Sequence, residues 1–274
     1  MRKMILSDFE WCGQSGSLFG LLPCYIDSSS GITVSDNRAA ITFNTSNAAG
    51  SNKWNFLSGR YDGVLSGTFQ VCKNPCTTRS DSFSAEEIRA VNRWLCRKDG
   101  YHKFKVVKDD NEGYAEFYFN AYLNVKEIEY SGNVVGLEIT VITNAPYAFF
   151  EPKTAIMDLS AASLQYVYID MSDEVGTLYP VFRITCHTDG DYIIKNGTSG
   201  IQSKIAGCRS GEIITMDSEH KILSSSIRDD SLLKSFNFGW LDIMNTQDER
   251  RNTYSSNLPC KIEMTYSPIA KIGL

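Results

Sequence analysis

The chain has 274 residues and a formal net charge of −5, with hydrophobic residues at 42% and charged residues at 22%. That is long enough to bury a core without a metal or disulfide staple, and the acidic balance, with a pI near 5.3, argues against a dedicated nucleic-acid binder. No apolar run approaches the roughly 18–20 residues of a membrane helix, and the basic Met1–Met4 opening lacks a signal peptide's apolar stretch, so assembly in a cytoplasm is expected.

In chain order, the predicted elements are mostly strands, because Tyr, Phe and β-branched residues alternate with Gly, Asn and Asp turn signals. Ala39–Phe43 and Val64–Cys72 read as strands. Between them, 44–52 is small and polar, the composition of a mobile or functional loop. The one predicted helix covers 84–98. Ser84 and Glu87 form a capping box, Ile88, Val91 and Leu95 share a face with Trp94 beside them, Arg97 and Lys98 suit the C-terminal dipole, and Gly100 supplies a stop. A meander follows: Tyr101–Val107, a turn at 109–113, Tyr114–Tyr122, then Lys126–Tyr130 and Leu137–Ile142 around Ser131-Gly132-Asn133.

Pro146 and Pro152 bracket a short aromatic run and mark a boundary. Beyond it, Tyr166–Asp170, Tyr179–Cys186, Asp191–Lys195, Glu212–Met216, Lys221–Leu223, Phe236–Ile243 and Lys261–Tyr266 read as strands, spaced as in a sandwich, with hairpin turns at Asp189-Gly190 and Asn196-Gly197.

Residues able to carry chemistry are sparse. His102, His187 and His220 lack ligand spacing. Cys186 and His187, adjacent on a strand, point to opposite faces. Cys72 and Cys76 have no second knuckle to complete a zinc site. The pairs Asp109-Asp110 and Asp229-Asp230 fit solvated loops, and Gly13–Gly20 is followed by no capped helix. The eight cysteines are scattered, which fits free, mostly buried thiols. Trp240, Tyr166, Tyr168 and Tyr192 could stack on sugars, but such aromatics usually fill a core. No catalytic, cofactor-binding or metal residues are assigned and no cofactor is expected; the chain reads as a non-enzyme.

Several segments, taken together, resemble the distal tail protein family of long-tailed siphophages. They are Phe9-Glu10-Trp11-Cys12-Gly13 with Ser17-Leu18-Phe19-Gly20; the helix carrying Arg93-Trp94-Leu95 before Asp99-Gly100-Tyr101; and the Lys126–Ile142 hairpin ending in Asn144-Ala145-Pro146-Tyr147. Two later segments join them: Tyr179–Ile184 followed by Gly211–Thr215, and Lys261–Pro268. The opening departs from the family in having Cys12-Gly13 where Asn-Gly is usual, and the chain departs from it in its eight cysteines.

The resemblance implies a mainly β fold with an N-terminal ring-forming β-sandwich, 1–148 with helix 84–98. It also implies a C-terminal galectin-like β-sandwich, 149–274, whose residues 269–274 either stay there or return to the first domain. It implies a structural virion protein: a homo-hexameric hub at the tail tip joining the tail tube protein to the tail-tip (tail-associated) protein, able to carry receptor-binding proteins. No membrane and no specific nucleic acid partner is expected, DNA only passing through the ring. Residues 44–52 suit the arm that neighbouring subunits exchange. The alternative is a carbohydrate-binding β-sandwich recognising host-surface glycans. A hydrolase with carboxylates from separate strands is the weakest reading.

Overall fold

The computed structural model describes residues 6–24, 39–74, 80–108, 116–160, 164–246 and 250–273. The expected turn at 109–113, and Cys76, lie outside them. The chain divides into two compact units: Met1–Phe149 with Lys271–Leu274, and Phe150–Ala270. The fold is mainly β, and among the described residues it has one α-helix.

The first unit contains β1 (Leu6–Trp11), β2 (Gln14–Ser15), β3 (Leu21–Cys24), β4 (Ile41–Asn47), β5 (Trp54–Tyr61), β6 (Ser66–Lys73), α1 (Ala85–Leu95), β7 (His102–Lys108), β8 (Phe117–Tyr130) and β9 (Asn133–Thr143). Its main sheet runs β2-β1-β7-β8-β9-β6-β3. The sheet curls on itself: Phe9 of β1 meets Phe69 of β6 edge-on at 5.2 Å, and Phe104 of β7 lies 6.1 Å from Phe69. Leu137, Ile139 and Val141 of β9 point into this core, while Glu138 and Thr140 stay partly wet. That alternation is why β9 reads so clearly in sequence.

Two tight hairpins set the register. Cys12 and Gly13 (φ 52° and 75°) join β1 to β2, and Ser131 and Gly132 (φ 51° and 78°) join β8 to β9. Positive φ at both positions is the two-residue turn that matches strand twist, and it explains a glycine at the second place of each.

Several expectations need correction. The helix ends at Leu95 rather than residue 98, because Cys96 already has non-helical backbone (φ −86°, ψ 78°). Gly100 does not stop it; at φ 131° it turns the chain into β7. The two strands expected at 114–122 and 126–130 are one, β8, of 14 residues. The polar segment 44–52 is only partly loop: 44–47 belong to β4, which pairs with the unanticipated β5.

The second unit begins where β10 (Ala148–Phe150) ends. It holds β11 (Lys153–Leu159), β12 (Gln165–Ile169), β13 (Gly176–Leu178), β14 (Val181–Cys186), β15 (Gly190–Asn196), β16 (Gln202–Cys208), β17 (Ile213–Asp217) and β18 (Ile222–Ser225). Then come β19 (Ile243–Asn245), β20 (Arg251–Ser256), β21 (Cys260–Tyr266) and β22 (Ile269–Ala270). One sheet runs β11-β21-β14-β17-β18 and the other β12-β20-β15-β16. Phe182, Ile184, Ile262 and Met264 from the first pack with Tyr192, Ile194, Ile205 and Tyr254 from the second, all at 1% exposure or less. The central strands β14 and β21 alternate buried and open residues, the pattern of a two-sheet sandwich.

The segment 236–243, expected as a strand, is mostly irregular. Phe238 has φ 58°, and a Cβ on Gly239 would collide with the Gln202 backbone. Instead Asn237 mimics a strand partner: its N–H donates to the Lys204 carbonyl at 3.1 Å, and its Oδ1 accepts from the Lys204 N–H at 2.8 Å. β11, β13, β16 and β20 were not anticipated.

Candidate functional site

Two features of the first unit stand out, the seat of α1 and the β4–β5 ribbon. The seat is built by the opening motif. Trp11 Nε1 donates to the Trp94 carbonyl at 3.1 Å, and Trp94 Nε1 donates to the Trp11 carbonyl at 3.2 Å. This reciprocal pair satisfies two buried indole donors at once. Phe19 stacks on Trp94 with ring centres 4.1 Å apart, and Phe9 also lies stacked with it at 5.7 Å. Gly16 leaves room for this, since a Cβ there would sit 2.6 Å from the Phe9 ring.

At the helix start, Glu87 N–H donates to Ser84 Oγ at 3.2 Å and Ser84 N–H to Glu87 Oε2 at 2.8 Å, completing the capping box. The buried Lys73 ammonium donates to the same Glu87 oxygen at 2.8 Å and to the Ser82 carbonyl at 3.0 Å. The Lys73 hydrogen bond, then those from the cap, hold the Glu87 carboxyl below its usual range. Thus the segments that carried the family resemblance, residues 9–20 and 93–95, meet in one aromatic cluster.

The ribbon is different. Among the described residues, β4 and β5 pair only with each other, antiparallel from Ile41↔Tyr61 to Asn47↔Trp54, with a bulge at Leu57. Phe43 and Phe56 touch at 5.6 Å on one face, the face that the register also gives to Ile41 and Trp54. These side chains are 52–65% exposed. An isolated two-stranded hairpin is marginal in water, and an aromatic row of this kind is the mark of a surface that something covers.

The residues weighed for chemistry are not brought together. His102 Nε2 bonds Asp99 at 2.9 Å and His220 Nδ1 bonds Asp217 at 2.8 Å, both as surface pairs. Cys186 is buried while His187 is exposed, on opposite faces as expected. Asn196, in an acceptor motif for glycosylation, is wholly buried, with Nδ2 donating to Asn252 Oδ1 at 2.9 Å. No group of three or more metal-ligating side chains occurs among the described residues. None of their helices is long and apolar enough to cross a membrane.

The four aromatics weighed as sugar platforms serve the second unit's packing. Tyr192 is 1% exposed, and its hydroxyl accepts from the His187 and Thr188 N–H groups while donating to the Pro259 carbonyl at 2.8 Å. Tyr168 shares a 2.7 Å hydrogen bond with Tyr266, and Tyr166 and Trp240 are partly buried against the core. Reading the sequence missed this unit's buried ion pair, Arg228 with Glu212 at 2.7 Å.

Residues 4–145 match the family model described as the phage tail protein N-terminal domain, and residues 147–266 match the phage tail C-terminal domain. The chain belongs to this phage tail protein family. Its fold is similar to that in the crystal structure of the SPP1 Dit (gp 19.1) protein, with a TM-score of 0.63 and 12% identity. The match covers 95% of this chain and 98% of that one. The SPP1 protein is described as a paradigm of the hub adsorption apparatus in phages infecting Gram-positive hosts. Comparison with curated protein sequences gives no match. The resemblance to siphophage distal tail proteins thus holds at the level of family and fold: this is a phage tail protein with the Dit fold.

Proposed function

We propose that the protein is the distal tail hub of a long-tailed phage, a structural protein without catalytic turnover. Its first unit forms a hexameric ring, and its second, a galectin-like sandwich, stands outside that ring. The ring joins the tail tube protein to the tail-tip protein at the tip of the virion tail and offers sites for receptor-binding proteins. The subunits assemble in the host cytoplasm.

The observation that carries this reading is the β4–β5 ribbon. Its apolar side chains Ile41, Phe43, Trp54 and Phe56 are exposed, and among the described residues no other strand pairs with the ribbon. A closed cyclic ring needs heterologous contacts, in which one patch on a subunit meets a different patch on the next. An arm laid on a neighbour provides one. The net charge of −5 also suits a channel that passes DNA without holding its phosphates. Negative-stain imaging of the purified protein tests the proposal. Rings of six subunits with a central opening are expected. Particles of single-chain size, alone and with the tail-tip protein present, would contradict it.

A further inference from the structure

The first unit carries a basic cleft at one end of α1 and an acidic hairpin tip at the other. Beside the last turn of α1, a cleft of about 610 Å³ opens between the helix and the β1–β2 turn, with Arg93, Arg97, Phe19 and Trp94 among its walls. A second hollow, of about 320 Å³, shares Arg97 and adds Lys98, Tyr101 and Tyr122. No carboxylate lines either one, in a chain whose net charge is −5.

Arg97 is fixed in place: its Nη1 donates to Cys12 Sγ at 3.3 Å, and its Nε lies 3.9 Å from Asp99. Arg93 and Lys98 are exposed, and no ion pair holds either side chain among the described residues. Tyr101 is 52% exposed, with its ring centre 5.8 Å from that of Tyr122. The two hollows thus set guanidinium forks beside open aromatic faces. That arrangement suits a segment bringing carboxylates and an aromatic ring together.

Such a segment stands at the other end of the helix. Phe83, just before the Ser84 cap, donates its N–H to the Val134 carbonyl at 2.8 Å, so the β8–β9 tip lies beside the start of α1. The helix has 11 residues, which makes it about 16 Å long. β8 ends in Glu127-Ile128-Glu129-Tyr130. Strand alternation puts the two carboxylates on one face and Tyr130 on the other. Glu127 and Glu129 are exposed, and no cation pairs with either among the described residues. Tyr130 is 74% exposed. Tip and cleft are therefore complementary in charge and separated by the length of α1.

We infer that the β8–β9 tip of one subunit docks in the α1 cleft of a second copy, an inference that rests on the proposed ring. Glu129 pairs with Arg93 and Glu127 with Arg97, while the Tyr130 ring meets Tyr101. The contact is head-to-tail: each subunit gives its tip to one neighbour and its cleft to the other, as a closed ring requires. Paired charges across it fix the choice of partner and the register.

The test is the solution mass of the full chain over a concentration series, for wild type, Arg93→Glu and Glu129→Lys. Each variant alone should need about a hundredfold higher concentration to assemble, because every junction then sets like charges together. The dissociated variants should melt as wild type does, since neither side chain is paired within its own subunit. An equal mixture of the two variants should recover the wild-type mass: alternating subunits put the native pair at one junction and the reversed pair at the next. Variants that assemble as readily as a wild-type ring, or a mixture that stays dissociated, would overturn the docking and leave the ring standing. A wild type of single-chain mass at every concentration would overturn both.

Discussion

The β4–β5 ribbon and the second unit's sandwich use the same materials to opposite ends. Both are antiparallel and rich in aromatic and branched side chains. In the sandwich, Phe182 and Tyr254 meet at 5.9 Å with no exposure. In the ribbon, Phe43 and Phe56 meet at 5.6 Å and remain more than 60% exposed. Ring contact alone therefore does not make a core; a second layer must remove the outer faces from water. The sandwich carries its second layer in the same chain. The ribbon shows none among the described residues, and the proposed ring would supply it from a neighbour.

That contrast is sharpest in a core truncation. Phe182→Ala should cost about 3–5 kcal/mol in denaturant unfolding. A cost near that of a surface change would mean the sandwich is as loosely held as the ribbon.

Glu212→Gln comes next, because it leaves Arg228 buried without its charge partner. A loss of about 3 kcal/mol is expected. Burial opposes ionisation of Glu212, but hydrogen bonds from Ser225, the Arg209 N–H and Arg228 outweigh it and hold the carboxyl below its ordinary value of 4.5. Its contribution is therefore present above that value and lost as pH falls through the lower folded one. Unfolding midpoints measured from pH 6 down to 3 should fall more steeply in wild type than in Glu212→Gln; parallel curves would remove the ion pair from the account.

Ser84→Ala should cost about 1 kcal/mol by removing one half of the capping box, read as a shift in midpoint at constant slope. Smallest of all, Phe43→Ser with Trp54→Ser should change the stability of the dissociated chain by no more than about 0.5 kcal/mol. A larger loss would show that the ribbon rests on its own subunit.

How much of this was legible in the sequence follows the range of the interactions. The start of α1 was legible because Ser84 and Glu87 sit three residues apart and cap each other. The mainly β class was legible from composition, and β9 from its alternation. The end of α1 was less so, since Cys96 leaves the helix without glycine or proline to signal it. β5 was missed although its partner is near, β4 ending at Asn47 and β5 beginning at Trp54, because the bulge at Leu57 breaks the alternation that marks a strand. Phe236–Ile243 misled in the other direction, aromatic enough for a strand but bent at Phe238 and pressed onto Gln202 at Gly239. The opening motif and Trp94 stand far apart in the sequence, and only the fold puts 83 residues of separation into one pair of indole hydrogen bonds.

In the proposed ring, the ribbon joins subunits. The most direct test of this is the solution mass of wild type beside Phe43→Ser/Trp54→Ser, by light scattering behind a sizing column over a concentration series. A wild-type species near six times the 30.7 kDa chain mass is expected, with a single-chain mass for the variant and both chains melting alike after dissociation. A variant that assembles as fully as wild type would contradict it.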